Sequence, residues 1–224
     1  MNHYLKTFLL GIGAGLAIAL GGLANLALSS IDSPVGKIFG ALLFSIGLLT
    51  VCSFGFFLYT GKIGYLFEMR RVSYLFDLLF GLLGNIIGAV VMGYICYLIP
   101  SFRDGAMGTI AKGIAEKRNV LSGEAWYEAV LLGFICGIFV FLAVDLFKNK
   151  PGIVGTLALV FGVFAFVIIG SEHCIANMFY FSAANGWNGG TLLNILLVLV
   201  GNSFGSLFFK GIASIVTKEV KRVA

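Results

Sequence analysis

Six long stretches without a formal charge constrain this chain more than anything else in it. Thr7 to Ile31, Ile38 to Gly61, Leu78 to Phe102, Ala129 to Val144, Pro151 to Ser171 and His173 to Phe209 hold no Asp, Glu, Lys or Arg. A helix needs about 20 mostly apolar residues to cross the hydrocarbon core of a bilayer. The fourth run is short, and Trp126 and Tyr127 extend it as interfacial anchors. The last run opens on turn-like residues, Ala183 to Gly190, so its spanning part starts near Thr191. The sequence therefore predicts an all-α membrane protein with six spans at about 7–30, 38–67, 74–99, 125–145, 152–181 and 191–215. The first run is too long for a signal-peptide core and lacks the usual small-residue cleavage site, so it reads as a retained helix. Charged residues make up only 11% of the chain, which excludes an ordinary soluble domain, where they run near 25%.

Lysine and arginine set the expected orientation. With the N-terminus inside, Lys6, Lys62, Arg70, Arg71, Lys148, Lys150, Lys210, Lys218, Lys221 and Arg222 gather on the inner side. Only Lys37, Arg103, Lys112, Lys117 and Arg118 fall outside. That bias predicts both termini in the cytoplasm of a multi-pass protein of the inner (plasma) membrane. It also explains the net charge of +5 as a topology signal, with no nucleic-acid partner implied. The four cysteines, Cys52, Cys96, Cys136 and Cys174, fall inside spans, and their spacing suits neither zinc nor a disulfide. No cofactor or metal is expected. There is no phosphate-binding Gly-x4-Gly-Lys-Ser/Thr, and His173 is the sole intramembrane histidine, too few for a membrane haem site. An enzyme is not expected.

Spans two and five are too long and share a midway break. One is Phe57-Leu58-Tyr59-Thr60-Gly61-Lys62; the other runs from Gly170 to Met178. Spans three and six also correspond, Leu83-Gly84-Asn85-Ile86-Ile87-Gly88 against Val200-Gly201-Asn202-Ser203-Phe204-Gly205. The chain thus reads as a single transmembrane domain over residues 1–224, with repeats at about 1–100 and 120–217. Three spans per copy make the copies inverted, and paired broken helices in inverted halves point to a solute path. Half-helix N-termini at mid-depth favour anions. Glu172 and His173 are the ionisable pair deep in an apolar stretch, where a charge costs about 2.5–3.5 kcal/mol on insertion scales. That position fits a pore-lining histidine, or one that only bonds a neighbouring helix. Thr60 could bond the solute or cap its half-helix. Asn85 and Asn202 are mid-span polar residues that could glue helices together.

The segment Glu172-His173-Cys174-Ile175-Ala176-Asn177-Met178 resembles the E-H-x-x-A-N-M signature of the formate/nitrite transporter family. Gly55 to Gly61 is similar to the family's other broken-helix motif, Gly133 to Gly137 to its fourth-helix motif, and Gly201-Asn202 to its sixth. The resemblance covers nearly the whole chain. It implies an aquaporin-like protomer in a homo-pentamer, each protomer with its own pore for small monovalent anions such as formate, nitrite or hydrosulfide. His173 would be the central pore histidine, faced by Thr60 and close to Asn202. Leu58 and Leu48 would form the inner constriction, Phe44 and Phe166 the outer one. Glu172, Asn177, Lys62 and Glu124 would support them.

The chain departs from the family pattern at three places. Phe57 stands where an acidic residue is usual, Gly137 where an Asn is, and Glu124 at or next to an anion-attracting Lys before the fourth helix. The second-helix changes make it most similar to the hydrosulfide-channel branch. The expected function is an anion channel of the bacterial inner membrane, most simply for hydrosulfide, in which a proton from His173 could let the anion cross partly as neutral acid. The alternative is a proton-coupled formate/nitrite secondary transporter. An aquaporin-type channel is disfavoured, because Pro34, Pro100 and Pro151 lie in no Asn-Pro-Ala context.

Overall fold

The computed structural model describes residues 1–31, 33–69 and 71–223, with side chains described as far as residue 216. Arg70, and the side chains of Lys218, Lys221 and Arg222 from the charge count, lie outside the described residues. Among the described residues the fold is all helix, without strands.

Helix α1 (His3–Ser29) starts where the Asn2 side chain accepts the Tyr4 N–H. Ser33 caps α2 (Pro34–Leu43), with proline in the first turn where its missing N–H costs nothing. A single turn residue, Phe44, joins α2 to α3 (Ser45–Ser53). The chain then opens and re-forms as α4 (Tyr59–Lys62), a 3-10 turn at Ile63–Tyr65, and α5 (Leu66–Met69). Helix α6 (Val72–Leu98) leads into the short α7 (Pro100–Arg103) and into α8 (Ala106–Lys117). The chain continues as α9 (Trp126–Asn149), α10 (Ile153–Ile169), α11 (Cys174–Ala183) and α12 (Gly189–Val223).

By length and composition, five of these segments can cross a membrane: α1, the joined α2 and α3, α6, α9 and α12. Helices α10 and α11 together make a sixth, bent by 59° at their break. Helix ends lie a few residues from the expected bounds because caps, which apolar runs do not reveal, decide them. One element was not expected. Helix α8 lies in the stretch read as an external loop, too polar and short to span. It is amphipathic, and its small face of Gly108, Ala111 and Ala115 is buried against α11 and α1.

Helix α11 is the centre of the fold, with every residue from Cys174 to Ala183 buried. Around it α6 lies on α1, and α12 lies on α9. Both pairs meet through small residues. A methyl group on Gly84 would collide with the Phe8 carbonyl of α1, and one on Gly201 with the Val130 carbonyl of α9. Helices in lipid lack a hydrophobic drive to associate, so such close backbone contact supplies much of the packing energy. The outer faces are apolar, with Leu75, Leu79, Leu83, Ile87 and Val91 exposed along α6 and Leu192, Leu196, Val200 and Phe204 along α12.

The glycine contacts make a test. Gly201→Val should abolish folded protein in detergent by forcing the two helices apart. Gly113→Ala, on the open face of α8 with nothing within 4 Å, should leave the melting temperature unchanged or raise it by up to about 2–4 °C, the equivalent of about 1 kcal/mol of added helix stability. Size-exclusion profiles and thermal melts read both.

Candidate functional site

The two interrupted helices are built alike, bond for bond. Helix α3 ends at Gly55 and α10 at Gly170, both in the left-handed region at φ 67° and 81°. In each, the glycine N–H turns back three residues and the next N–H five: Gly55 to the Cys52 carbonyl and Phe56 to Val51, Gly170 to Val167 and Ser171 to Phe166. The following N–H reaches a neighbouring long helix, Phe57 to the Leu10 carbonyl at 3.2 Å and Glu172 to the Leu132 carbonyl at 3.3 Å.

One asparagine then closes each break. Asn85 of α6 accepts the Tyr59 N–H at 2.9 Å and donates to the carbonyls of Phe57 at 2.8 Å and Gly11 at 2.9 Å. Asn202 of α12 accepts the Cys174 N–H at 3.0 Å and donates to the carbonyls of Glu172 and Gly133, both at 2.8 Å. Both side chains are fully buried. Unwound backbone in a bilayer interior must find partners inside the protein, and these amides supply them. Asn202 therefore braces the second break and lines neither of the cavities described below. The likeness of Asn85 to Asn202, visible in the sequence repeat, was the available signal for this shared task.

Counting from the two glycines, Leu58 and His173 occupy equivalent places. Both line a small chamber, with Ile18, Phe44, Leu48, Val140 and Phe166 as the other walls. Its volume open to water centres is about 10 Å³, room for roughly one water molecule. The Phe44 and Phe166 rings meet edge to face at 5.9 Å, and Phe166 stacks on the His173 ring at 6.4 Å. His173 is the one polar wall. Its Nδ1 accepts the Ala176 N–H at 3.2 Å, so the ring proton sits on Nε2 and is donated to Thr60 Oγ1 at 2.7 Å. Thr60 Oγ1 has no other partner among the described residues, which leaves its own proton to donate. The ring offers a hydrogen bond. Protonating it would require breaking the bond between Nδ1 and the Ala176 N–H.

On one side of the Phe44–Phe166 pair the protein opens into a vestibule of about 280 Å³. Its walls include Lys37, Arg118, Ser171, Asn177 and Tyr180, and His173 reaches its floor. Behind it lies a buried polar cluster. Glu172 Oε2 accepts from Asn177 Nδ2 at 2.7 Å and Asn194 Nδ2 at 2.9 Å, and Arg118 Nε stands 3.5 Å from Oε1. Arg118 Nη1 donates to Asn177 Oδ1 at 2.6 Å.

Glu124, from the loop before α9, is 7% exposed and belongs to this cluster, not to the vestibule lining. Burial, then the hydrogen bond and charge of Glu172 beside it, hold its carboxyl well above the usual range, so it keeps its proton. Lys62 lies away from the vestibule, its Nζ 5.9 Å from the Phe57 ring. Sequence reasoning missed Arg118, Ser171 and Asn194. Arg118 is separated from its partner Asn177 by two helices, α9 and α10, and nothing in local pattern joins them.

These features define a class: a multi-pass helical protein with two amide-braced breaks around a small chamber. The chain belongs to the formate/nitrite transporter family, whose sequence model matches residues 2–216. It is 27% identical to the formate-nitrite transporter of Entamoeba histolytica over 93% of this chain, and spans 63% of that protein's length. It is 29% identical to a probable formate transporter of Methanothermobacter thermautotrophicus, covering 91% of this chain and 85% of that one. Among solved structures it is similar to a pentameric formate channel with formate bound, at TM-score 0.83 and 24% identity over 96% of this chain and 97% of that one. The family consists of channels and transporters.

The raised carboxyl of Glu124 has a measurable consequence. Its folded form holds a proton that the unfolded chain releases near pH 4–5, about the ordinary glutamate value. Stability should therefore fall as pH rises from that value toward the raised one. Glu124→Gln, which cannot ionise, should flatten the decline and melt higher than the native protein at pH 8. A gap of about 2–4 °C corresponds to 1 kcal/mol in a chain of this size. Parallel pH slopes for the two proteins would contradict the assignment.

Proposed function

We propose that this protein is a channel for small monovalent anions, with one pathway inside each protomer. The single observation that carries the reading is the chamber between the two breaks. It is apolar except for an imidazole that donates to a threonine hydroxyl, whose proton is left free. An anion entering from the vestibule passes between Phe44 and Phe166, loses its water, and meets the His173 ring, with the bonded Thr60 hydroxyl behind it as a second donor once the chamber widens. Polarisation by His173 strengthens that donor. The partial positive ends of the half-helices offset part of the desolvation cost. Leu48 and Leu58 close the far side, with Lys62 beyond them. A chamber of roughly one water's volume suits the smallest anions, formate and hydrosulfide foremost.

The same reading takes residues of about 1–100 and 120–217 as inverted repeats. It places five protomers around an axis in the bacterial inner membrane, with both termini in the cytoplasm. The matching bonds of Asn85 and Asn202 support the repeat, and the vestibule cations Lys37 and Arg118 fit its assignment to the outside. Because the His173 Nδ1 position is taken up by a backbone donor, the anion crosses hydrogen-bonded to Thr60 and is not neutralised by the ring. This favours a channel over a proton-coupled carrier.

Proteoliposomes presented with formate, nitrite, hydrosulfide and chloride at several pH values test the proposal. Flux of the smallest anions should exceed that of empty vesicles and persist without an imposed pH gradient. Strict proportionality between anion flux and the pH gradient would favour the carrier. Leu58→Val should raise flux severalfold by widening the constriction; unchanged flux would remove Leu58 from the pathway.

A further inference from the structure

The vestibule holds two groups that neither the fold nor the pathway described above accounts for. The first is Ser171. It is 5% exposed, lines the vestibule, and its Oγ is the one buried side-chain polar atom among the described residues that lacks a hydrogen-bond partner. A buried hydroxyl left unpaired costs on the order of 1–3 kcal/mol. Its neighbours in the chain are all spoken for: Gly170 forms the turn, and Glu172 is braced by three side chains.

The second is Arg118. Its guanidinium lines the same vestibule and is 17% exposed. Asn177 holds Nη1, Glu172 stands loosely at 3.5 Å from Nε, and the Tyr180 ring lies 5.8 Å from the central carbon. These contacts occupy Nη1 and Nε and cover one face of the group. Nη2 has no partner among the described residues. An arginine serving only to neutralise Glu172 would close on it with paired bonds through Nε and Nη2. Here Nη2 is left over, on a side chain that lines the vestibule.

We infer that Arg118 and Ser171 form an anion-receiving subsite in the vestibule, ahead of the Phe44–Phe166 pair. It takes a small monovalent oxyanion of the carboxylate class, which the N–H groups of Nη2 and a hydroxyl can hold together. Glu124 is part of the same device. Burial pushes its carboxyl up, toward the neutral form, which reduces the negative charge behind Arg118 and leaves Arg118 and Lys37 to keep the vestibule attractive to anions. The subsite is where the anion exchanges its first waters for protein donors. It rests on the reading of this vestibule as an anion entrance, yet binding and passage can be measured separately.

The test uses the full chain in detergent, titrated with sodium formate against sodium gluconate at constant ionic strength, with the melting temperature as readout. The native protein should show a saturable rise with formate and none with gluconate. Ser171→Ala removes a hydroxyl that bonds nothing in the protein, so the ligand-free melt should not fall. Its half-saturating formate concentration should rise about tenfold, the effect of losing a hydrogen bond to a charged group. Arg118→Lys keeps the charge but loses the fork, and should also weaken binding. No saturable shift in the native protein, or one equally strong in Ser171→Ala, overturns the subsite. Formate flux into proteoliposomes is measured alongside. A saturable shift with no flux would keep the subsite and reject the channel, whereas flux whose half-saturation ignores both variants would keep the channel and reject the subsite.

Discussion

The structure depends on the rule that unwound backbone inside a bilayer cannot be left without hydrogen bonds. Two helices in this chain are interrupted, and each interruption exposes donors and acceptors that a continuous helix would have paired. Asn85 and Asn202 resolve this with three bonds apiece. Each amide reaches the broken strand of its own half and a glycine carbonyl on the adjoining long helix, Gly11 or Gly133. The breaks are therefore braced, and the side chains they carry, Leu58 on one and His173 on the other, line the same small chamber.

From that placement the chemistry of the chamber follows. A small apolar space of roughly one water would exclude an ion outright if it offered nothing in return. On the proposed reading the return is a directed donor, the His173 ring bonded to the Thr60 hydroxyl. On the same reading the vestibule draws an anion in without trapping it: Arg118 is held by Asn177 and stands 3.5 Å from Glu172, while burial pushes the nearby Glu124 carboxyl up, toward its neutral form. Attraction at the mouth and weak holding at the narrow point would together favour passage over capture.

Much of this was legible in the amino-acid sequence. Charge-free runs marked the apolar helices, and the paired interruptions pointed to residues 57–62 and 170–178. The positions of His173, Thr60, Leu58, Leu48, Phe44 and Phe166 came from the resemblance of those motifs to one family. What stayed hidden depended on three-dimensional partnership. The family resemblance set Asn202 close to the pore, whereas its bonds all go to backbone, as the plainer reading of a mid-span amide that glues helices has it. Glu124 read only as a departure from an anion-attracting Lys, because its place beside Glu172 cannot be seen along the chain. Arg118 passed as one of several external cations. Helix α8 was hidden because an amphipathic helix of small apolar residues carries neither the length nor the hydropathy of a span.

The most direct measurement is to fill the chamber. Val140 lines it, and Val140→Ile adds one methylene to a space with room for about one water. Overpacking of this kind costs typically 1–3 kcal/mol, roughly 2–12 °C at 2–4 °C per kcal/mol for a chain of this size. Such a loss can leave a folded protein that a melt will confirm. In proteoliposomes the account predicts that formate flux through Val140→Ile drops sharply while the protein still melts cooperatively. Flux equal to that of the native chain would place the pathway elsewhere.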